Sequence, residues 1–187
     1  MAEAQLIAMS ANEIVRLLKK GDVSPLDLID ALEQRCDRVD GAVNALPTRD
    51  FGRARAAARA LMEKSAAERG LLAGMPVPIK DLTNVAGMRS TMGSPIFADV
   101  VPKVSDVLVT HLEAEGALIY AKSNTPEFGA GANTFNEVFG ATRNPWNTAL
   151  SAAGSSGGAA GSLATGMAWL AHGSDMGGSL RNPASFC

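Results

Sequence analysis

Apolar residues recur three and four apart through the first third of the chain, then give way to short unbroken apolar runs. Ser10-Ala11-Asn12-Glu13 fits a capping box, and Ile14, Leu17 and Leu18 follow at helical spacing, so a helix is predicted there. Ser24-Pro25 predicts a second, with Ser as N-cap, Pro at the first position, and Leu26, Leu28, Ile29 and Leu32 as its buried stripe. Ala42 to Leu46 reads as a short strand, and an Ala- and Arg-rich helix is expected from about Asp50 to Arg69. Met75-Pro76-Val77-Pro78-Ile79-Lys80-Asp81 is then a short apolar segment ending in charge, followed by turns from Asn84 to Met92. Ser105 is read as the cap of a helix running to about Glu115, stopped by Gly116. Ala117-Leu118-Ile119-Tyr120-Ala121 is a buried strand.

Helix and strand alternating through short loops imply an α/β fold, with a mixed, largely parallel sheet flanked by helices. From about Gly129 the chain is rich in Gly, Ala, Ser, Thr and Asn. Phe135, Phe139, Trp146, Leu163, Met167, Trp169 and Leu170 interrupt it, which indicates functional loops on a packed scaffold and not a linker. Gly158 to Thr165 reads as a small-residue helix and Met167 to Ala171 as a strand. The expected organisation is one α/β domain over 1–187, with a helical N-terminal part to residue 70 and a core from 71 to 187.

Composition narrows the setting. With 187 residues, 47% of them hydrophobic, the chain can bury a core. A net charge of −2 without a basic cluster argues against nucleic acid as a partner. No apolar run approaches the roughly 20 residues that span a bilayer, and the first residues carry no basic signal region, so no membrane partner is expected. Two cysteines without ligand spacing give neither a disulfide framework nor a metal site. A cytoplasmic location follows, and a homodimer is compatible with it.

The chemistry concentrates in two glycine-flanked serine runs, Ala153-Gly154-Ser155-Ser156-Gly157-Gly158 and Asp175-Met176-Gly177-Gly178-Ser179-Leu180-Arg181. Glycines let backbone N–H groups crowd one point, as a site for a negatively charged oxygen requires. A serine after two of them is a candidate nucleophile, and a nucleophilic serine needs a base. His111 shares a predicted helix face with Val107, Leu108 and Leu112, which favours a structural role. His172, at a predicted strand end, is the weaker alternative to a lysine. Burial can lower a lysine pKa from near ~10.4 by up to about 3–5 units. Lys80 closes an apolar segment, and in an extended strand Asp81 points to the other face, leaving the amine unpinned. Position alone favours a lysine that snorkels to solvent at a strand end.

Together these runs, with Pro78-Ile79-Lys80-Asp81, Lys122-Ser123-Asn124-Thr125-Pro126-Glu127-Phe128-Gly129 and Pro183-Ala184, resemble the amidase signature family. The blocks occur in the family's order over roughly residues 70 to 187. The resemblance implies a hydrolase of amide C–N bonds with a small-molecule amide substrate and no cofactor or metal. It implies a triad in which Lys80 is the base, Ser155 a serine held by a cis peptide, and Ser179 the nucleophile. Backbone N–H groups of Met176, Gly177, Gly178 and Ser179 are then the oxyanion donors, with Ser156, Asp175 and Arg181 in support. Ala153 replaces a glycine frequent in the family, and Ser174 stands where many members have threonine. Thr125-Pro126-Glu127-Phe128-Gly129 looks more like stand-alone amidases than like the glutamyl-tRNA amidotransferase A-type component, which is the alternative within the family. Members are usually well over twice this length, so the isolated chain is expected to be poorly active.

Two rivals use the same glycines. Gly154-Ser155-Ser156-Gly157-Gly158 satisfies G-x-S-x-G, but a nucleophile elbow needs a hydrophobic strand before it, and Arg143 to Thr148 reads as a loop. A phosphate-binding loop would need G-K-[ST] or a strand–G-x-G-x-x-G–helix context, and neither is present.

Overall fold

Serine caps set the first helices as predicted. A computed structural model describes residues 3–187. After the short helix α1 (Glu3–Ile7), α2 (Ala11–Lys20) begins on Ser10, whose Oγ accepts from Glu13 N–H while Glu13 accepts from Ser10 N–H. Ser24 and Asp27 repeat this box at the start of α3 (Pro25–Val43). Leu28, Ile29 and Leu32 are fully buried along α3, whereas Leu26 is only partly so.

The strand expected over Ala42 to Leu46 does not form. Its first residues end α3, and Asn44 takes a left-handed cap conformation. Asp40, buried on the last turn, accepts from Ala45 and Leu46 N–H and holds the segment as a turn. The strand comes later, as β1 (Thr48–Arg49). The next helix is shorter than expected. α4 (Phe51–Met62) is capped by Asp50, and a separate 3₁₀ turn covers Ala66–Glu68. β2 (Pro76–Lys80), α5 (Val107–Ala114) and β3 (Leu118–Ser123) follow. The N-cap of α5 is Asp106, not Ser105, whose Oγ instead accepts from Ala86 N–H. Val109 is the buried residue of α5, and Val107, Leu108 and His111 face outward.

The sheet is mixed. β3 lies centrally, antiparallel to β1 and parallel to β2, with Thr48 opposite Lys122 and Lys80 opposite Ser123. Every residue of β2 and β3 is buried. Ile119 joins Val77 and Ile79 in an apolar cluster with α2 and α3, while Leu118 and Tyr120 join Phe51, Ala54 and Met167 in a second. Phe51 stacks on Tyr120 at 5.4 Å between centroids, and the Tyr120 hydroxyl donates to Met167 C=O. Both clusters draw on residues either side of position 70.

A two-stranded ribbon, β4 (Phe135–Asn136) with β5 (Gly140–Ala141), precedes α6 (Gly157–Ala164). No strand forms over Met167 to Ala171; Met167 and Ala168 N–H turn back to Ser162 C=O. The chain reaches the sheet one residue later, where His172 N–H donates to Pro78 C=O at 3.0 Å. α7 (Arg181–Phe186) is the last described helix, and no helix among the described residues is long and apolar enough to cross a membrane.

Candidate active site

Lys80, the last residue of β2, and Asp81 just after it turn to opposite faces, as alternation requires. Asp81 turns to a buried cluster in which it accepts from Lys122 Nζ (3.0 Å), Thr91 Oγ1 (2.5 Å) and Thr91 N–H (3.1 Å). Lys122 Nζ completes its three donations with Ser90 Oγ (2.7 Å) and Thr83 C=O (2.9 Å). Lys80 is thereby left without a directly bonded carboxylate.

Lys80 is 0% exposed, and its Nζ lies 2.7 Å from Ser155 Oγ, 2.8 Å from Ser156 Oγ and 3.1 Å from Ser174 Oγ. Three hydroxyls match the three protons of an ammonium. Burial pulls the Lys80 pKa from 10.5 to about 8, opposed by the negative charge of Asp175. The snorkelling alternative is therefore excluded by the geometry. In the neutral form the lone pair of Nζ can accept from a hydroxyl, which reverses one of the three bonds.

The two neighbouring hydroxyls come from one turn. Gly154–Ser155 is a cis peptide bond, and Ser155 and Ser156 lie immediately before α6. That helix sits directly on the end of β3, where a Cβ on Gly158 would fall 2.2 Å from Asn124 N and 2.6 Å from Ala45 O. Only glycine permits this approach, and it brings both serines to Lys80.

The second loop is tied to the first through Ser156. Ser156 N–H donates to Ser179 C=O (3.0 Å), and Ser156 Oγ donates to Ser174 C=O (3.2 Å) and accepts from Ser174 N–H (3.3 Å). Within the loop Asp175 accepts from Gly178 N–H (2.7 Å), Leu180 N–H (3.0 Å) and Arg181 Nε (3.1 Å). The Arg181 guanidinium, helped by these N–H groups, holds the Asp175 carboxyl well below the usual carboxylate range. Asp175 and Arg181 thus pair across the loop as expected.

Two expectations need correction. Gly178, at φ +110°, donates its N–H to Asp175 and so is not free for an oxyanion. Among the described residues, the N–H groups of Met176, Gly177 and Ser179 have no such acceptor. The connected line Lys80–Ser155–Ser179 is only half made. Among the described residues no hydrogen bond joins Ser155 Oγ to Ser179 Oγ.

Sequence reasoning missed three contributors. Ser174 drew notice only as a replacement for threonine, Lys122 only as part of a motif, and His172 only as a rival base. His172 Nδ1 accepts from Lys80 N–H at 3.3 Å and lies away from any serine hydroxyl bond. Strand alternation was the available signal for Lys122, since a buried Asp81 needs a cation on its own face.

A desolvated amine ringed by hydroxyls, beside a glycine-rich loop at the end of a mixed sheet, defines an α/β protein with a serine–lysine centre. The Amidase family model matches residues 27–187, and the chain belongs to the amidase family. The A-type component of the glutamyl-tRNA(Gln) amidotransferase of Moorella thermoacetica is 40% identical over 185 residues, covering 98% of this chain and 38% of that protein. An acylamidase of Rhodococcus erythropolis is 39% identical over 189 residues, covering 100% of this chain and 40% of that one. The crystal structure of a bacterial aryl acylamidase of the amidase signature family superposes with a TM-score of 0.87 at 35% identity, over 94% of this chain and 37% of that chain. The chain thus spans about two fifths of the length of the curated relatives it matches.

Proposed function

We propose that this chain carries the nucleophilic centre of an amidase that hydrolyses carboxylic amide C–N bonds through an acyl-enzyme. The observation that carries the reading is the buried Lys80 amine within 2.7 Å of Ser155 Oγ. Neutral Lys80 accepts the Ser155 proton while Ser155 accepts that of Ser179. Ser179 Oγ bonds to the substrate carbonyl carbon, and the carbonyl oxygen becomes an oxyanion. Met176, Gly177 and Ser179 N–H groups are its proposed donors, each worth about 2.7–4 kcal/mol in the transition state. The proton returns along the same hydroxyls to the leaving amine as the C–N bond breaks. Water then attacks the ester, its proton taken by the same route, and releases the acid and the Ser179 hydroxyl. Each step balances with water alone, without metal or organic cofactor.

In this reading residues 71–187 carry the chemistry in a cytoplasmic protein, and the described part of 1–70 supplies β1 and the helices that pack on the sheet. The substrate is a small-molecule amide. Because the relatives are more than twice as long, the isolated chain should be poorly active. A measured amide-hydrolysis rate for purified 1–187, abolished by Ser179→Ala, would overturn that expectation. Labelling with a serine-reactive fluorophosphonate, followed by peptide mapping, tests the nucleophile. Attachment at Ser179 supports it, and attachment at Ser156 favours an elbow-type site. The similarity to an amidotransferase component favours a second reading, as one member of a multi-chain assembly. Hydrolysis of simple aryl or aliphatic amides by the complete protein alone decides against it.

A further inference from the structure

His172 touches the site through the backbone of β2, yet the chemistry above leaves it idle. Its N–H donates to Pro78 C=O (3.0 Å), and its ring Nδ1 accepts from Lys80 N–H (3.3 Å). Donor and acceptor on β2 are two residues apart, the spacing at which a neighbouring strand would bond. The ring nitrogen stands where such a strand would offer a carbonyl. A ring nitrogen accepts only when it carries no proton, so the bond selects the neutral imidazole protonated at Nε2.

The surroundings favour the same state. Burial and the positive charges of Lys80 on β2 and Lys122 on β3 push the His172 pKa below its ordinary value. The nearby carboxylates are engaged elsewhere: Asp175, on its own loop, with Arg181, and Asp81 with Lys122. From His172 the chain runs through Gly173 to Ser174, whose Oγ meets Lys80 Nζ at 3.1 Å, and on to Ser179.

We propose that His172 is a positioning residue: in its neutral form it fastens the loop bearing Ser179 to the strand bearing Lys80, and its protonation releases that loop. Protonation would set an N–H against the Lys80 N–H and add a third cation to Lys80 and Lys122. The consequence for turnover rests on the amidase reading; the clasp itself does not. In a competent enzyme, His172→Leu lowers kcat several-fold, far less than the 10²–10⁴-fold expected for loss of a base.

Imidazole and amide NMR on this chain tests the clasp without any activity. The Nε2–H tautomer is expected at neutral pH, with a His172 midpoint below about 6.5. The Lys80 amide signal should move with that midpoint. In His172→Asn, whose Oδ1 replaces Nδ1 as acceptor, the Lys80 amide should stay protected from about pH 5 to about 8. In His172→Leu its exchange should quicken on the order of fivefold. An Nδ1–H tautomer, a midpoint at or above about 6.5, or a Lys80 amide indifferent to His172 protonation overturns the proposal. Should His172→Leu fail to fold, the wild-type titration and His172→Asn still decide. A positive clasp with no label on Ser179 of the complete protein would sink the amidase reading alone, and the converse result would sink only the clasp.

Discussion

Replacing Lys80 by methionine separates the charge of this side chain from its volume. Lys80 is fully buried, and its pKa falls from 10.5 to about 8 because burial disfavours the ammonium. A tenfold change in a protonation equilibrium is worth about 1.36 kcal/mol, so the protonated form is held at a disadvantage of about 3 kcal/mol in the fold. The folded state prefers the neutral amine. Its contribution to stability is therefore fully present above pH 10.5 and is lost as pH falls through about 8. Urea unfolding of the wild type and Lys80→Met, at about pH 7 and about pH 10, measures this directly. The lost hydroxyl bonds add a nearly constant offset, and other titrating groups are common to both proteins. The wild type should gain about 2.5 kcal/mol on the variant across that interval, because the unfolded amine is still mostly protonated at about pH 10. A difference that stays flat, or shrinks as pH rises, refutes the argument. The same lowering raises the neutral fraction at pH 7 from about 0.03% to about 10%, roughly 300-fold, as the proposed role of base requires.

Gly158→Ala should cost at least about 3 kcal/mol, because its methyl would meet backbone and not a movable side chain; thermal unfolding would show it. Lys122→Met leaves Asp81 buried without its cation and should cost about 3–5 kcal/mol, part of which the Asp81→Asn double variant recovers. Asp175→Asn should leave the unfolding midpoint nearly unchanged while slowing fluorophosphonate labelling of Ser179, since it weakens the Arg181 pairing within one loop.

Local signals read well where they were strong. The capping boxes at Ser10 and Ser24 and the apolar runs of β2 and β3 all form, as does the small-residue helix α6. The failures are tertiary. Ala42 to Leu46 is apolar enough for a strand, but Asp40 captures its N–H groups from the end of α3. Met167 to Ala171 is likewise apolar, yet its first two N–H groups return to Ser162, and Tyr120 takes the Met167 carbonyl. Ser105 lost the cap to the adjacent Asp106 by bonding Ala86 instead. At the site, alternation along β2 correctly parted Lys80 from Asp81. What the local pattern could not convey was which loop N–H groups Asp175 would occupy, because that depends on how the turn closes around the carboxylate.

Ser156 bonds the amine, the loop of Ser174 and the backbone of Ser179, and it begins the helix through Ala160 N–H. Substitutions at these positions should therefore fail to add: the second loss finds much of the damage already done. The site therefore stands or falls as a block, and altering its substrate without losing it would mean changing the walls around it while leaving this knot untouched.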